Sequence, residues 1–416
     1  MSDFHAPDIP PHDPVPPPAP PQQPPIGDPM PAPLPPAQPP APPGQPPTQP
    51  PGPPPVHEPP SQPPEVPSPP PIQEPPPLQM QAMQSEQQQA HLQSPPLPAV
   101  PATPPFTATA AATSEPVARY GVIHQTDYSY QSQVTLSQQY LHLTPRNFAH
   151  QQTVSHQIQV DPAPEDACGA FDYFANSTRK LTVTVPHQTL IVRAESVVEV
   201  FARPALPQLA ASAAWEEVQA AMRQSQGAAD LEPYQYLYNS PHIQCNAALR
   251  EFALASFTPG RPLYDAAFDL TCRITDEFEF DPDATNIHTT LDEVMQGRRG
   301  VCQDFAHLMI GCLRAIGLPA RYVSGYILTH PPEGQARLIG ADASHAWASL
   351  WSPEMGWVDF DPTNRCLVQH EHITVAWGRD FSDVTPLRGI VLGGGTQLLG
   401  VSVTVTPITQ GQNTLV

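Results

Sequence analysis

Residues 300–313 read GVCQDFAHLMIGCL. Apolar side chains recur at Phe305, Leu308, Met309, Cys312, Leu313 and Ile316, a spacing that predicts a helix with one buried stripe. Cys302 falls two residues after a glycine, at the mouth of that helix. Unpaired backbone N–H groups gather at such an end, and the helix dipole favours an anion there. A thiolate suits the position, and thiolate is the reactive form of cysteine. The stretch therefore points to a cysteine nucleophile.

Downstream, Gly317-Leu318-Pro319 supplies a helix stop, and Arg321 to Tyr326 reads as a strand. HAWASLW from His345 and GWVDF from Gly356 read as a hairpin joined at Pro353 to Met355. A hairpin brings its far ends together, so His345 and Asp361 become neighbours. If this sheet packs on the helix, Cys302 faces His345. The imidazole then takes the thiol proton, and Asp361 fixes its tautomer. Attack on a carbonyl would release an amine or ammonia and leave a thioester, which water or a second amine resolves. Taken singly, each residue has a plainer reading: a buried small hydrophobe, a surface histidine, a turn aspartate. Their order along the chain is what makes the case.

Other groups have lesser claims. Gln296 or the Cys302 backbone N–H could donate to an oxyanion. Trp347 and Trp357 could supply an indole N–H, or pack the core. Asp304 reads as a cap or loop anchor, His307 as structural, and Cys312 as an inert thiol on the buried stripe. Zinc is the rival chemistry, through His288, Cys302, His307 and His345, but no HExxH string or paired cysteine supports it. The run Leu392 to Thr396 lacks the lysine of a phosphate loop and reads as a turn. No DxDxDG string implies calcium. No metal and no cofactor are expected.

Upstream of Cys302, residues 246–257 read as a helix stopped by Pro259-Gly260. A second helix follows from Pro262-Leu263, with Leu263, Ala267, Leu270, Ile274 and Phe278 as its stripe. Leu291 to Gln296 is a short helix or turn. Residues 201–240 form a linker with a helical piece over 211–222. From Tyr120 to Val200, period-two alternation in segments such as Leu181-Val183-Val185 and Leu190-Val192-Ala194 predicts an antiparallel sheet with one solvated face. The Val401, Val403, Val405 alternation predicts a last strand.

Most of the 63 prolines precede residue 105. That segment has too little apolar surface to offset ordering, so it reads as a disordered tail whose PxxP strings suit a proline-recognition partner. The formal charge of −21, with Lys180 the one lysine, disfavours nucleic acid and anionic membranes as partners. Six scattered cysteines fit neither a disulfide framework nor a zinc knuckle, and no apolar run reaches membrane-spanning length. With no signal-peptide pattern at Met1-Ser2-Asp3, a cytoplasmic location is expected.

GVCQDFAHLMIGCLRAIGLPARYVSGY, SHAWASLW and GWVDFDPTN resemble the transglutaminase-like superfamily. LHLTPRNFAHQQTV and FDYFANSTRKLTVTVPHQTLIVRAESVVEV are similar to the β-rich N-terminal domain that bacterial members carry, with Ala175 where most have glycine. The resemblance spans roughly residues 120–375. It implies a papain-like α+β core with a Cys-His-Asp triad at Cys302, His345 and Asp361. It leaves the reaction open between hydrolysis of a protein or peptide amide and cross-linking. The expected organisation is a tail over 1–116, a β-domain over 117–204, a catalytic domain over 205–375 and an extension over 376–416. A non-catalytic scaffold is the alternative from another class.

Overall fold

The computed structural model describes residue 97 and residues 115–205, 211–224, 231–285, 289–330 and 344–409. Apart from Leu97, Glu115 and Pro116, the proline-rich tail lies outside these residues, as does His288. The fold is α+β: an antiparallel β-domain precedes a sheet backed by helices.

The β-domain is built on one long strand, β1 (Ala118–Leu141). Its neighbours are β2 (Gln151–Asp161), β3 (Asp166–Phe171), β4 (Ser177–Val183) and β5 (His187–Val200), in the order β2-β5-β1-β4-β3. Sequence alternation suggests short strands, whereas β1 is one continuous strand of 24 residues. The reason is a change of partner: residues 118–129 pair with β5, and residues 137–141 pair with β4. Val134, Leu141, Ile158, Val160, Leu181, Val183, Leu190 and Val192 form the core of this domain.

Among the described residues, five helices of seven residues or more follow in the catalytic part: α1 (Trp215–Gln224), α2 (Ala247–Ser256), α3 (Leu263–Glu277), α4 (Leu291–Gly297) and α5 (Cys302–Ala315). Asn246 caps α2 by accepting from Leu249 N, and Thr290 caps α4 in a reciprocal box with Glu293. The whole predicted stripe of α5 is buried. Gly311 lets Leu249 and Leu291 approach that helix, since a Cβ there would meet both at 3.1 Å.

Two single ladder steps, β6 (Glu279–Phe280) and β7 (Arg299–Gly300), lead into α5. The main sheet then runs β8 (Ala320–Ile327), β9 (Ser344–Ser352), β10 (Gly356–Asp361), β11 (Cys366–Leu367) and β12 (His372–Gly378), in the order β11-β10-β9-β8-β12. Ala346, Ala348 and Leu350 share a core with the α5 stripe. The predicted hairpin is therefore present, and its sheet packs on the helix that Cys302 opens.

The boundary expected at residue 375 falls inside β12. Beyond it, β13 (Leu387–Gly393) and β14 (Gln397–Pro407) return to the β-domain and pair antiparallel with β1. The glycine run between them carries the chain on along β1 from one pairing stretch to the next, with Gly393, Gly394 and Gly395 all at positive φ.

The two parts also meet through side chains. β12 is an edge strand, and primary amides of the β-domain complete its hydrogen bonding. Gln151 accepts from Thr374 N and donates to Thr374 O, both at 2.7 Å. Asn176 accepts from Trp377 N at 3.0 Å and donates to Trp377 O at 2.8 Å. Arg146 donates to Asn176 Oδ1 and lies 3.6 Å over the Trp377 ring.

Candidate active site

Three local features place Cys302. First, Asp304 Oδ2 accepts from Val301 N at 2.8 Å, tying the residue before the cysteine to the first helical turn. Thr285 donates to the same oxygen at 2.7 Å, so Asp304 is both cap and loop anchor. Second, Gly300 leaves room for that carboxylate, since a Cβ would lie 2.7 Å from Asp304 Oδ2. Third, helix geometry leaves the Cys302 N–H without an intrahelical acceptor.

His345 is the second residue of β9, opposite Gly325 of β8. Its Nε2–H donates to Asp361 Oδ2 at 2.7 Å, and both side chains are buried. Because Nε2 faces the carboxylate, Nδ1 is the nitrogen left for Cys302, which acts on the basicity of the imidazole. Burial alone would discharge the ring. Hydrogen bonds to Asp361 and Cys302, with their charges, overcome it and raise the imidazole from 6.5 to about 10.

Asp361 is saturated with donors. Oδ1 accepts from Thr363 N at 2.9 Å and Asn364 N at 3.1 Å. Oδ2 accepts from His345, from Asn364 Nδ2 at 2.7 Å and from His372 Nε2 at 3.0 Å. Burial works against its charge, but the two histidine bonds hold the carboxyl far below the usual carboxylate range. The sequence reading passed over Asn364 and His372. The signal for His372 was a histidine opening HITVAWG, a strand buried along nearly its full length.

His345, Asp361 and His372 also offer three ligand atoms within 4.8 Å of one another, the one such group among the described residues. A cation there would have to displace the protons that make the 2.7 and 3.0 Å bonds. Of the zinc set considered from sequence, His288 lies outside the described residues and His307 is engaged elsewhere: its Nε2 accepts from Phe381 N and its ring stacks on His242. Burial pushes His307 down to about 3, which keeps it neutral and structural.

Gln296 is exposed on α4, with no side-chain hydrogen bond among the described residues. Trp347 is fully buried with Val323 and Val368, whereas Trp357 donates to Glu232 at 3.1 Å. All six cysteines are free. Burial raises the thiols of Cys245, Cys312 and Cys366, the last to about 12, and so makes them poor nucleophiles.

Residues 120–199 match the bacterial transglutaminase-like N-terminal region, and residues 252–362 match the transglutaminase-like superfamily. An uncharacterized protein of Mycobacterium tuberculosis is 43% identical over 298 residues, which are 70% of this chain and 93% of that protein. The chain belongs to the transglutaminase-like superfamily, and with it to the general class of cysteine-dependent enzymes. A protein-glutamine gamma-glutamyltransferase of Pseudomonas aeruginosa is 40% identical over 83 residues, 20% of this chain and 12% of that one. A solved structure from Cytophaga hutchinsonii, named as a candidate cysteine protease, shares the fold. Its TM-score is 0.58 at 19% identity, covering 72% of this chain and 93% of that one.

Proposed function

We propose that this chain hydrolyses an amide, peptide or isopeptide bond through a thioester on Cys302, with His345 as proton carrier and Asp361 as its orienting carboxylate. The observation that carries the reading is the buried His345 imidazole, bound on Nε2 to Asp361 and raised in basicity by Asp361 and Cys302. An imidazole raised to about 10 keeps its proton at neutral pH, the state that partners a thiolate.

In the first half-reaction, the Cys302 sulfur attacks the carbonyl carbon. The oxyanion takes the Cys302 N–H, as expected at a helix mouth. His345 gives its Nδ1 proton to the departing nitrogen, and the C–N bond breaks to leave the thioester. In the second, His345 removes a proton from water, hydroxide adds to the thioester, and the thiolate departs as the carboxylic acid forms. Asp361 holds Nε2–H throughout, so Nδ1 remains the nitrogen that trades protons.

Transfer to an amine is the second reading, favoured by the match to the Pseudomonas aeruginosa transferase over 83 residues. Both share the acyl-enzyme and differ in what resolves it. The test is an activity screen on peptide amides, isopeptides and glutamine–amine pairs with wild type and Cys302→Ala. Carboxylate release lost in the variant supports hydrolysis. Incorporation of labelled amine, lost in the variant, supports transfer. Equal wild-type and variant turnover overturns both.

A further inference from the structure

His372 makes one side-chain hydrogen bond, to Asp361 Oδ2. It is 4% exposed, and its Nδ1 is buried without a partner among the described residues. A buried acceptor left unpaired costs about 1 to 3 kcal/mol, which an apolar side chain here would avoid. Packing is therefore a poor reason for a histidine at this position. Burial lowers its basicity despite the adjacent carboxylate, and the His345 and Arg203 charges push the same way, so the ring is neutral.

The surroundings hold this ring in one pose. Trp347 packs edge-on against it, with centroids 5.3 Å apart and planes at 82°. Trp347 reaches that place because residue 325 is glycine: a Cβ would lie 2.5 Å from the indole and 2.1 Å from Ile373 O. The backbone of β12 is held two residues further on, where Gln151 binds both polar groups of Thr374. The neutral ring can donate only from Nε2, so its proton points at Oδ2.

We propose that His372 is a positioning residue for the reaction inferred above: it fixes the direction of Asp361 Oδ2 and thereby the plane of the His345 ring. Three donors converge on Oδ2, from His345, Asn364 and His372. Of these, His345 must keep its bond while its other nitrogen gains and loses a proton. Asn364 belongs to the same turn as Asp361 and moves with it. His372 comes from a separate strand, and so supplies the external reference. This rests on the proposed triad, so its test must tell the two apart.

The experiment uses the full chain and iodoacetamide, with peptide mapping to read alkylation at Cys302 and Cys245. H372F keeps an aromatic ring and removes the donor; H372Q restores an N–H near the Nε2 position. H372F should slow Cys302 alkylation about tenfold, as loss of orientation does, and H372Q should recover it to within about threefold. The His345 titration midpoint, followed by ring-15N NMR, should fall in H372F and return in H372Q. Equal Cys302 rates and midpoints in wild type and H372F overturn the role of His372. Wild-type Cys302 reacting no faster than Cys245 overturns the triad beneath it. If H372F fails to fold, the wild-type spectrum decides: an Nε2–H tautomer of His372 supports the proposal, and an Nδ1–H tautomer ends it.

Discussion

At the scale of single residues, the His345–Asp361 pair ties stability to pH. The His345 imidazole is raised from 6.5 to about 10. Its contribution is therefore complete below about 6.5 and lost as pH rises through about 10. Asp361 is held far below its usual value, so its contribution is present above about 4 and lost as pH falls. The stability gap between wild type and His345→Gln should be widest between about pH 4 and 6.5, and narrow by roughly 4 kcal/mol by pH 10. Urea denaturation of both proteins across that range checks this, and a gap constant with pH would refute it. The meeting of His345 and Asp361 was legible because a hairpin brings its two far ends together. His372 was not, because its partner is set by a sheet crossover rather than by spacing. Ala175 was legible as a departure from the pattern that the resemblance implies, and the structure gives its cost. It sits at φ 58° in the turn before Asn176, a conformation that glycine adopts freely.

At the scale of elements, the helices followed from their stripes, caps and stops. The strands of the β-domain were placed but not counted, because alternation records which face is buried and not which neighbour buries it. Least legible was how β12 is finished. Gln151 and Asn176 do for this edge what a neighbouring strand would do. Gln151→Ala would strand a buried N–H and loosen a buried C=O at Thr374, and should destabilise the fold by about 2 to 4 kcal/mol. Gln151→Glu, which keeps the acceptor for Thr374 N but loses the donor to Thr374 O, should also be unstable. Thermal melts of both variants test this, and near-wild-type melting of Gln151→Ala would show that the strand is held by other means. Gly325→Ala is expected to fail more severely, since its Cβ meets the Ile373 carbonyl and the Trp347 ring at once. Its soluble yield and melting temperature are the readouts.

At the scale of the whole molecule, the chain closes on itself. Val403 and Val405 of β14 are buried in the same core as Tyr120 and Val122 of β1. Removing residues 387–416 should cost about 2 kcal/mol for each of those valines and lower the melting temperature by roughly 10 °C or more. Calorimetry on the shortened chain tests it, and an unchanged melting temperature would mean that β13 and β14 are dispensable. The domain scheme read from sequence missed this closure, because the last strands carry the same alternation as any strand and nothing local says where they go.

That closure has a consequence for how the protein is made. Tyr120 pairs with Pro407, about 290 residues later, and Tyr130 with Gln397. While a ribosome is still translating the intervening region, one flank of β1 has no native neighbour to accept it. Sealing the first domain is thus among the last events of biogenesis. A nascent chain halted after the cysteine helix would hold Cys302 but neither His345 nor Asp361, and a β1 flank open to a chaperone or to the neighbouring polypeptide on the same polysome.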